Sequence, residues 1–139
     1  MTRHETRFAT DGELLVIRGR LTGPLGTSIG RFVLDTGAVF TTLTPELADL
    51  VGYSARDATR RTRVRTAIGS EEGYLLEVAN LAVLGLARSR FPVHVFDLGH
   101  DDIDGLLGLN FLSELNYEIR SAERRILVEA IDRAAPARL

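Results

Sequence analysis

Hydrophobic residues along this chain come in short runs that glycine, proline and charged residues separate. Runs of this length, bounded by turn-forming residues and rich in β-branched side chains, are typical of buried strands. We therefore predict an all-β protein built from many short strands. The predicted strands span residues 14–17, 29–34, 39–43, 62–68, 74–78, 81–84, 91–96, 117–119 and 126–128.

Two short helices are predicted between these strands. The first follows Thr44-Pro45-Glu46, which supplies a hydroxyl N-cap, a proline in the first turn and an acid near the positive end of the helix dipole. Its apolar residues keep helical spacing as far as Val51, and Gly52 supplies the stop signal. A second short helix is predicted over residues 110–115.

A β-hairpin is predicted near the middle of the chain. The β-prone stretches 62–68 and 74–78 flank the segment Gly69-Ser70-Glu71-Glu72-Gly73, which is polar and bounded by glycine at both ends. Because such segments commonly connect paired strands, we place the tip of the hairpin on Gly69–Gly73.

The chain length of 139 residues fits a single domain with a core of its own. Residues 1–12 are mostly polar and predict a loose N-terminal arm. Residues 13–131 contain all the predicted strands and are expected to form the domain, and residues 132–139 are expected to form a C-terminal tail.

Composition narrows the function classes. The net charge is −2, so the chain lacks the positive footprint that nucleic acid or an anionic membrane would require. No apolar signal core or membrane-spanning run is present, which predicts a soluble, cytoplasmic protein. The chain contains no cysteine, and this excludes disulfides and thiolate metal sites.

One acid stands out from the strand pattern. Asp35 follows the apolar run Phe32-Val33-Leu34 and begins the turn Asp35-Thr36-Gly37-Ala38. A carboxylate at the end of a buried strand is costly to desolvate, and structure alone rarely requires one there. We therefore interpret Asp35 as a residue with a chemical role.

The chain resembles the retropepsin-like aspartic proteases, the single-lobe relatives of pepsin, and in particular their bacterial-type members. The resemblance covers roughly residues 14–128 and rests on three parts in the same order: Asp35-Thr36-Gly37-Ala38, the hairpin, and the turn Leu106-Leu107-Gly108. It implies a retropepsin-like acid protease fold: a closed or partly open barrel of short strands, with a flap hairpin and one or two short helices.

The resemblance also implies a reaction and a partner. Aspartic proteases use two facing carboxyl groups that cannot both ionise, so one activates a water while the other protonates the substrate. This chain offers one Asp-Thr-Gly, and Asp102-Ile103-Asp104-Gly105 lacks that form. We therefore expect a homodimeric endopeptidase acting on extended peptide or protein substrates, with Asp35 of each subunit as the catalytic pair and no cofactor.

Roles for neighbouring residues follow from the same resemblance. Thr36 is expected to hydrogen-bond across the dimer axis, and Gly37 and Ala38 are expected to leave room for substrate backbone. The hairpin is expected to pair with an extended peptide as an added strand. The substrate-binding residues implied are Val39, Ile68, Gly69, Ser70, Leu106, Leu107 and Gly108.

Three departures from the family leave questions open. Val39 and Leu109 replace an acid and an arginine that pair in viral relatives, and Glu71-Glu72 makes the expected flap tip acidic. These changes keep an alternative open, namely a non-catalytic peptide-binding or dimerisation module on the same fold; autoprocessing is a further option. Residues 125–128 are equally consistent with a dimer-interface strand and a plain core strand.

Other candidate sites lack a residue that they need. The segment Asp102–Gly105 shares part of a calcium-loop pattern, but Phe111 stands where the loop requires a bidentate Glu, so no metal is expected. His94 and His100 lack ligand spacing with a third donor. The five arginines among residues 56–65 favour a solvated face, with an acidic partner as the alternative.

Overall fold

The computed structural model describes residues 3–66 and 69–131, and within these ranges the chain is mostly β-strand. The prediction of an all-β protein with two short α-helices is confirmed. Ile68 and residues 132–139, which carry predictions made above, lie outside the described residues. The strands are β1 Arg3–Arg7, β2 Ala9–Asp11, β3 Leu14–Gly23, β4 Gly26–Leu34, β5 Thr42–Leu43, β6 Arg60–Thr66, β7 Gly69–Val83, β8 Leu86–Val95, β9 Gly105–Leu107, β10 Leu115–Arg120 and β11 Arg125–Ala130; the helices are α1 Pro45–Leu50 and α2 Leu109–Leu112.

Most strands belong to one sheet that closes on itself. Its order is β2-β3-β4-β9-β5-β8-β7-β6, and a further pairing of β3 with β7 joins the two sides of the sheet. Strands β3, β4, β9, β5, β8 and β7 therefore form a ring, while β2 and β6 extend it at β3 and β7. Two pairings in the ring are parallel, β4 with β9 and β5 with β8. The remaining strands form a three-stranded sheet of order β1-β11-β10.

The core fills the interior of the ring. Alternate residues of the strands point inward, as a period of two requires: on β8, Phe91, Val93 and Val95 are buried while the residues between them are not. Phe32 of β4 and Phe111 of α2 are the largest side chains that are completely buried. A second, smaller cluster of Val16, Val33 and Ile103 lies apart from this core.

The start and stop signals that predicted helix α1 are confirmed by its structure. The Thr44 hydroxyl accepts a hydrogen bond from the Leu47 backbone N–H at 3.2 Å, so it caps the helix as predicted. Gly52 adopts a φ of +98° just after the helix, a conformation that glycine tolerates best. No helix among the described residues is long and apolar enough to cross a membrane.

The N-terminal arm is not loose over residues 3–7. These residues form β1 and pair antiparallel with β11, from Arg3 opposite Glu129 to Arg7 opposite Arg125. The polar sequence misled the prediction because ion pairs, including Arg3 with Glu129 at 3.2 Å and Arg125 with Glu5 at 3.1 Å, occupy one face of this sheet.

Strand β11 is a core strand within the chain. It lies between β1 and β10, so both of its edges are hydrogen-bonded within the chain. Ile126 and Val128 are also buried. Of the two interpretations left open for residues 125–128, the structure favours the core strand, because no free edge remains for a second subunit to pair with.

The hairpin turns earlier than predicted. The last paired residues of β6 and β7 are Thr66 and Gly69, and the register places Glu72 opposite Arg63 within the strands. The expected tip on Gly69–Gly73 is therefore wrong, and so is the expected acidic tip. Gly73 was misread as a turn signal. A Cβ there would lie 2.6 Å from the Val95 carbonyl oxygen, so this position requires glycine for close packing of the backbone.

Several predicted boundaries also shift. The β-prone stretch 39–43 contributes only Thr42–Leu43 as strand β5, because residues 39–41 form the connection that follows Asp35. The second helix is shorter than predicted and begins one residue earlier, spanning Leu109–Leu112. Leu115, expected at its end, instead begins strand β10.

Candidate active site

Asp35 lies at the point where two sequence-distant motifs meet. Strand β4 runs parallel to β9, with Val33 opposite Leu106 and Leu34 opposite Leu107. The Asp35 backbone N–H continues this ladder by donating to the Leu107 carbonyl oxygen at 3.0 Å. The pairing therefore places Asp35 directly beside the Leu106-Leu107-Gly108 turn.

A tight turn orients the Asp35 carboxylate. Its Oδ1 accepts a hydrogen bond from the Gly37 backbone N–H at 2.9 Å, and the Ala38 N–H donates to the Asp35 carbonyl at 3.3 Å. A Cβ on Gly37 would approach Oδ1 to 3.1 Å, so a side chain there would crowd the carboxylate. Asp35 is half-buried, whereas Thr36 is exposed. The turn thus presents the acid at the surface in a fixed orientation.

Backbone contacts hold this turn against the start of α2. The Leu109 N–H donates to the Ala38 carbonyl at 2.7 Å, and the Asn110 N–H donates to the Val39 carbonyl at 3.0 Å. The approach is close because Gly108 has no side chain: a Cβ there would lie 2.7 Å from the carbonyl oxygens of Ala38 and Phe40. Gly108 is therefore a packing requirement of the site.

A buried polar network braces the same region. Asn110 Oδ1 accepts from both the backbone N–H and the hydroxyl of Thr41, each at 2.8 Å, and Asn110 Nδ2 donates to the Pro92 carbonyl at 2.8 Å. The Thr41 oxygen in turn accepts from the Gly108 N–H at 3.1 Å. Neither Thr41 nor Asn110 is predicted from the sequence. Asn110, beside the Leu-Leu-Gly turn, was the available signal, but it was read as part of a helix.

An apolar cleft of about 320 Å³ opens beside Asp35. Asp35 is the one carboxylate among the described residues that line it. His100 stands at the edge of the cleft, with Nε2 3.7 Å from the Asp11 carboxylate and Nδ1 accepting from the Asp102 N–H at 3.3 Å. Leu14, Leu98 and Ile103 were not predicted, because they come from three separate segments of the sequence. The lining residues are Leu14, Val33, Leu34, Asp35, Leu98, His100, Ile103 and Leu106.

The predicted substrate-binding residues fall in different places. Leu106 lines the cleft with Asp35. Leu107 is completely buried, so in this chain its side chain packs in the core instead of facing a ligand. Val39 is 68% exposed beside the Asp35 turn. Gly69 and Ser70 are exposed at the start of β7 and do not line this cleft.

A sequence model of the aspartyl protease family matches residues 18–111, a stretch that includes both Asp35 and the Leu106–Gly108 turn. The chain belongs to the aspartyl protease family. No curated protein matches the sequence.

Solved structures show which branch of aspartyl proteases this fold resembles. A retropepsin-like aspartic protease from Rickettsia conorii is similar with a TM-score of 0.64 at 21% identity, over 91% of this chain and 90% of that one. The retroviral protease-like domain of Ddi1 from Leishmania major is similar with a TM-score of 0.58 at 14% identity, over 89% of this chain and 98% of that one. The predicted family and the predicted retropepsin-like fold are both confirmed.

His94 is part of the scaffold and does not line the cleft. Burial lowers the pKa of His94 below its ordinary value of 6.5, and its Nε2 lies 2.5 Å from the Thr62 hydroxyl. The side chain thus joins β8 to β6. Among residues 3–66 and 69–131, no three His, Asp or Glu side chains are grouped so that they could hold a metal ion.

Proposed function

We propose that this chain is a homodimeric aspartic endopeptidase in which Asp35 of each subunit forms the catalytic pair. The observation that carries the proposal is the position of the Asp35 carboxylate, which the Gly37 N–H holds at 2.9 Å beside an apolar cleft. Among the described residues that line this cleft, no other is an aspartate or glutamate. One chain therefore supplies half of the groups that the family's chemistry requires.

The proposed chemistry follows from two carboxyl groups held together. At close range they cannot both carry a negative charge, so they share one proton and titrate as a coupled pair. The ionised member removes a proton from a water, which attacks the peptide carbonyl carbon, and the protonated member donates to the carbonyl oxygen. The Gly37 N–H contributes by holding Asp35 Oδ1 in one orientation, which leaves Oδ2 for the water and the partner.

The cleft indicates the kind of substrate. Its walls are aliphatic apart from Asp35 and His100, so it suits an apolar side chain of an extended peptide. Burial of such a side chain would favour binding, and exclusion of water around it would strengthen the electrostatic interactions of the dyad. We propose that Leu106 and Ile103 contact this side chain.

Replacement of Asp35 tests the catalytic proposal. Asp35→Asn should abolish hydrolysis of an apolar model peptide while circular dichroism and the oligomeric state stay unchanged. Asp49→Asn is the matched control, because Asp49 is exposed at the end of α1 and the substitution is chemically the same. Peptidase activity that survives in Asp35→Asn, after careful purification, would refute the proposal.

Mixing the two proteins tests whether both Asp35 residues are needed. If activity requires one from each subunit, an equimolar mixture of wild type and Asp35→Asn, after subunit exchange, should keep about a quarter of the activity of wild type at equal total concentration. Subunits that act alone would keep about half. A wild-type protein that forms a dimer and binds peptide but never cleaves one would support the alternative, a non-catalytic peptide-binding module.

A further inference from the structure

A groove of about 690 Å³ lies along β3 and β4, next to the segment that joins β1 to β2. Three arginines line it, Arg7, Arg18 and Arg31, and no aspartate or glutamate does. Its other walls are largely apolar, with Phe8 and Ile29 among them. We call this site the arginine groove. It shares Thr6, Arg18 and Ile29 with an adjoining concavity of about 450 Å³, which Arg20 lines as well.

Two of these arginines face each other across paired strands. Arg18 of β3 lies directly opposite Arg31 of β4 in the antiparallel register. Like charges at such positions repel one another and destabilise the sheet. The chain tolerates this pair although its net charge is −2 and acids are plentiful. An anion bound between the two guanidinium groups would relieve this repulsion.

The positive charge of the arginines in the groove is not neutralised by ion pairs among the described residues. Among the described residues, no ion pair involves Arg7, Arg18 or Arg20. The Arg31 guanidinium donates through Nη1 to the Asp102 carbonyl oxygen at 2.9 Å, which is a neutral acceptor. The carboxylate of Asp104 accepts from the backbone N–H of Arg31 at 2.8 Å. Asp104 therefore hydrogen-bonds the main chain of Arg31. Among the described residues, the guanidinium groups of Arg7 and Arg18 and the remaining donors of Arg31 stay available to a ligand.

We propose that the arginine groove binds a small oxyanion with more than one negative charge, carried by phosphate or carboxylate groups. Guanidinium groups present paired N–H donors that match both kinds of group, and several of them converge here. The volume lies in the range of small-molecule sites, and the apolar walls would lower the local dielectric around the ion. All 17 basic residues of this chain are arginine, so an arginine by itself does not mark a site. The convergence of three arginines on one groove does.

This site is separate from the proposed catalysis, although it is close to the cleft. Val33 lines the cleft and Arg31 lines the groove, two residues apart on the same face of β4 and hence roughly 7 Å apart along the strand. Binding of the oxyanion needs neither the second subunit nor the Asp35 carboxylate. The proposal can therefore be tested equally well on Asp35→Asn protein.

Calorimetric titration with pyrophosphate and with citrate, at constant ionic strength, tests the proposal. It also shows whether the groove prefers phosphate or carboxylate groups. Wild-type protein should bind at least one of them saturably, and Arg18→Ser should weaken that binding roughly tenfold or more. Arg61→Ser is the matched control, since Arg61 is also exposed on a strand but lies opposite Tyr74 and lines none of the grooves described above. Its affinity should equal that of the wild type.

A second measurement separates binding from a structural role. In a buffer without multivalent anions, Arg18→Ser should melt at the same temperature as wild type or higher, because the substitution removes the repulsion with Arg31. Pyrophosphate or citrate should then raise the melting temperature of wild type more than that of Arg18→Ser. Absence of saturable binding, equal weakening by Arg61→Ser, or full affinity in Arg18→Ser would each overturn the proposal.

Discussion

Truncation of Asn110 is the sharpest test of how the site is held together. In Asn110→Ala the amide that joins three segments disappears: the connection after Asp35, the start of α2 and the strand that contains Pro92. Thr41 is the residue most affected. It is completely buried, and its backbone N–H and hydroxyl both donate to Asn110 Oδ1 at 2.8 Å.

The expected loss of stability follows from these contacts. Leaving the buried Thr41 N–H without an acceptor costs about 1–3 kcal/mol, and each of the other two hydrogen bonds contributes about 1 kcal/mol or less. Asn110 itself is half-buried, so water can replace part of the contact with Pro92. We therefore expect Asn110→Ala to lower the free energy of unfolding by about 3 kcal/mol, which for a domain of this size is a fall in Tm of about 10 °C.

Urea unfolding followed by circular dichroism measures this loss, and one variant serves as the control. Asn116→Ala removes an exposed amide that reaches Glu129 at 3.3 Å, and it should cost less than about 0.5 kcal/mol.

A double-mutant cycle identifies the interaction directly. Thr41→Val combined with Asn110→Ala should be less destabilising than the sum of the single changes, because the two side chains share a hydrogen bond. A loss of less than about 1 kcal/mol in Asn110→Ala, or a loss no larger than that in Asn116→Ala, would contradict this role of the Asn110 amide.

Three further predictions concern the same scaffold. Gly108→Ala should unfold the protein or cost more than about 3 kcal/mol in chemical unfolding, because a Cβ there would lie 2.7 Å from the rigid backbone at Phe40. Burial lowers the pKa of His94 below 6.5, so on acidification the unfolded chain takes up a proton more readily than the folded one. Lowering the pH from 7 to 5 should therefore destabilise wild type more than His94→Gln. Equal slopes of unfolding free energy against pH in the two proteins would contradict this. Thr44→Ala should cost about 1 kcal/mol because the N-cap of α1 is lost, whereas Thr59→Ala, with an exposed hydroxyl, should cost clearly less when both are compared by thermal unfolding.

Local chemistry explains which predictions from sequence succeeded. Asp35-Thr36-Gly37-Ala38 could be recognised because the carboxylate and the glycine two positions later form their turn within a few residues, as the 2.9 Å bond from the Gly37 N–H to Asp35 Oδ1 shows. The start of α1 was recognised for the same reason, since Thr44 reaches a backbone N–H three residues ahead. Signals of this kind need no information from the rest of the chain.

Glycine shows where local interpretation fails. Gly69 and Gly73 both look like turn residues in the sequence, yet Gly73 lies within β7, where the approach of the Val95 carbonyl excludes a Cβ. The turn position was therefore misplaced, and Glu71 and Glu72 were assigned to a tip when they lie in a strand. A glycine that serves close packing cannot be distinguished from a turn glycine without its neighbours in space.

The sequence by itself determined the class of fold, the family resemblance, the acid and the first helix, because these depend on residue patterns over a few positions. Only the tertiary structure decided which segments meet. The parallel pairing of β4 with β9, the bond between Thr41 and Asn110 and the opposition of Arg18 to Arg31 all join residues separated by loops or whole strands. Strand register sets these contacts, and register depends on packing throughout the sheet, which the hydrophobic pattern of one segment does not contain.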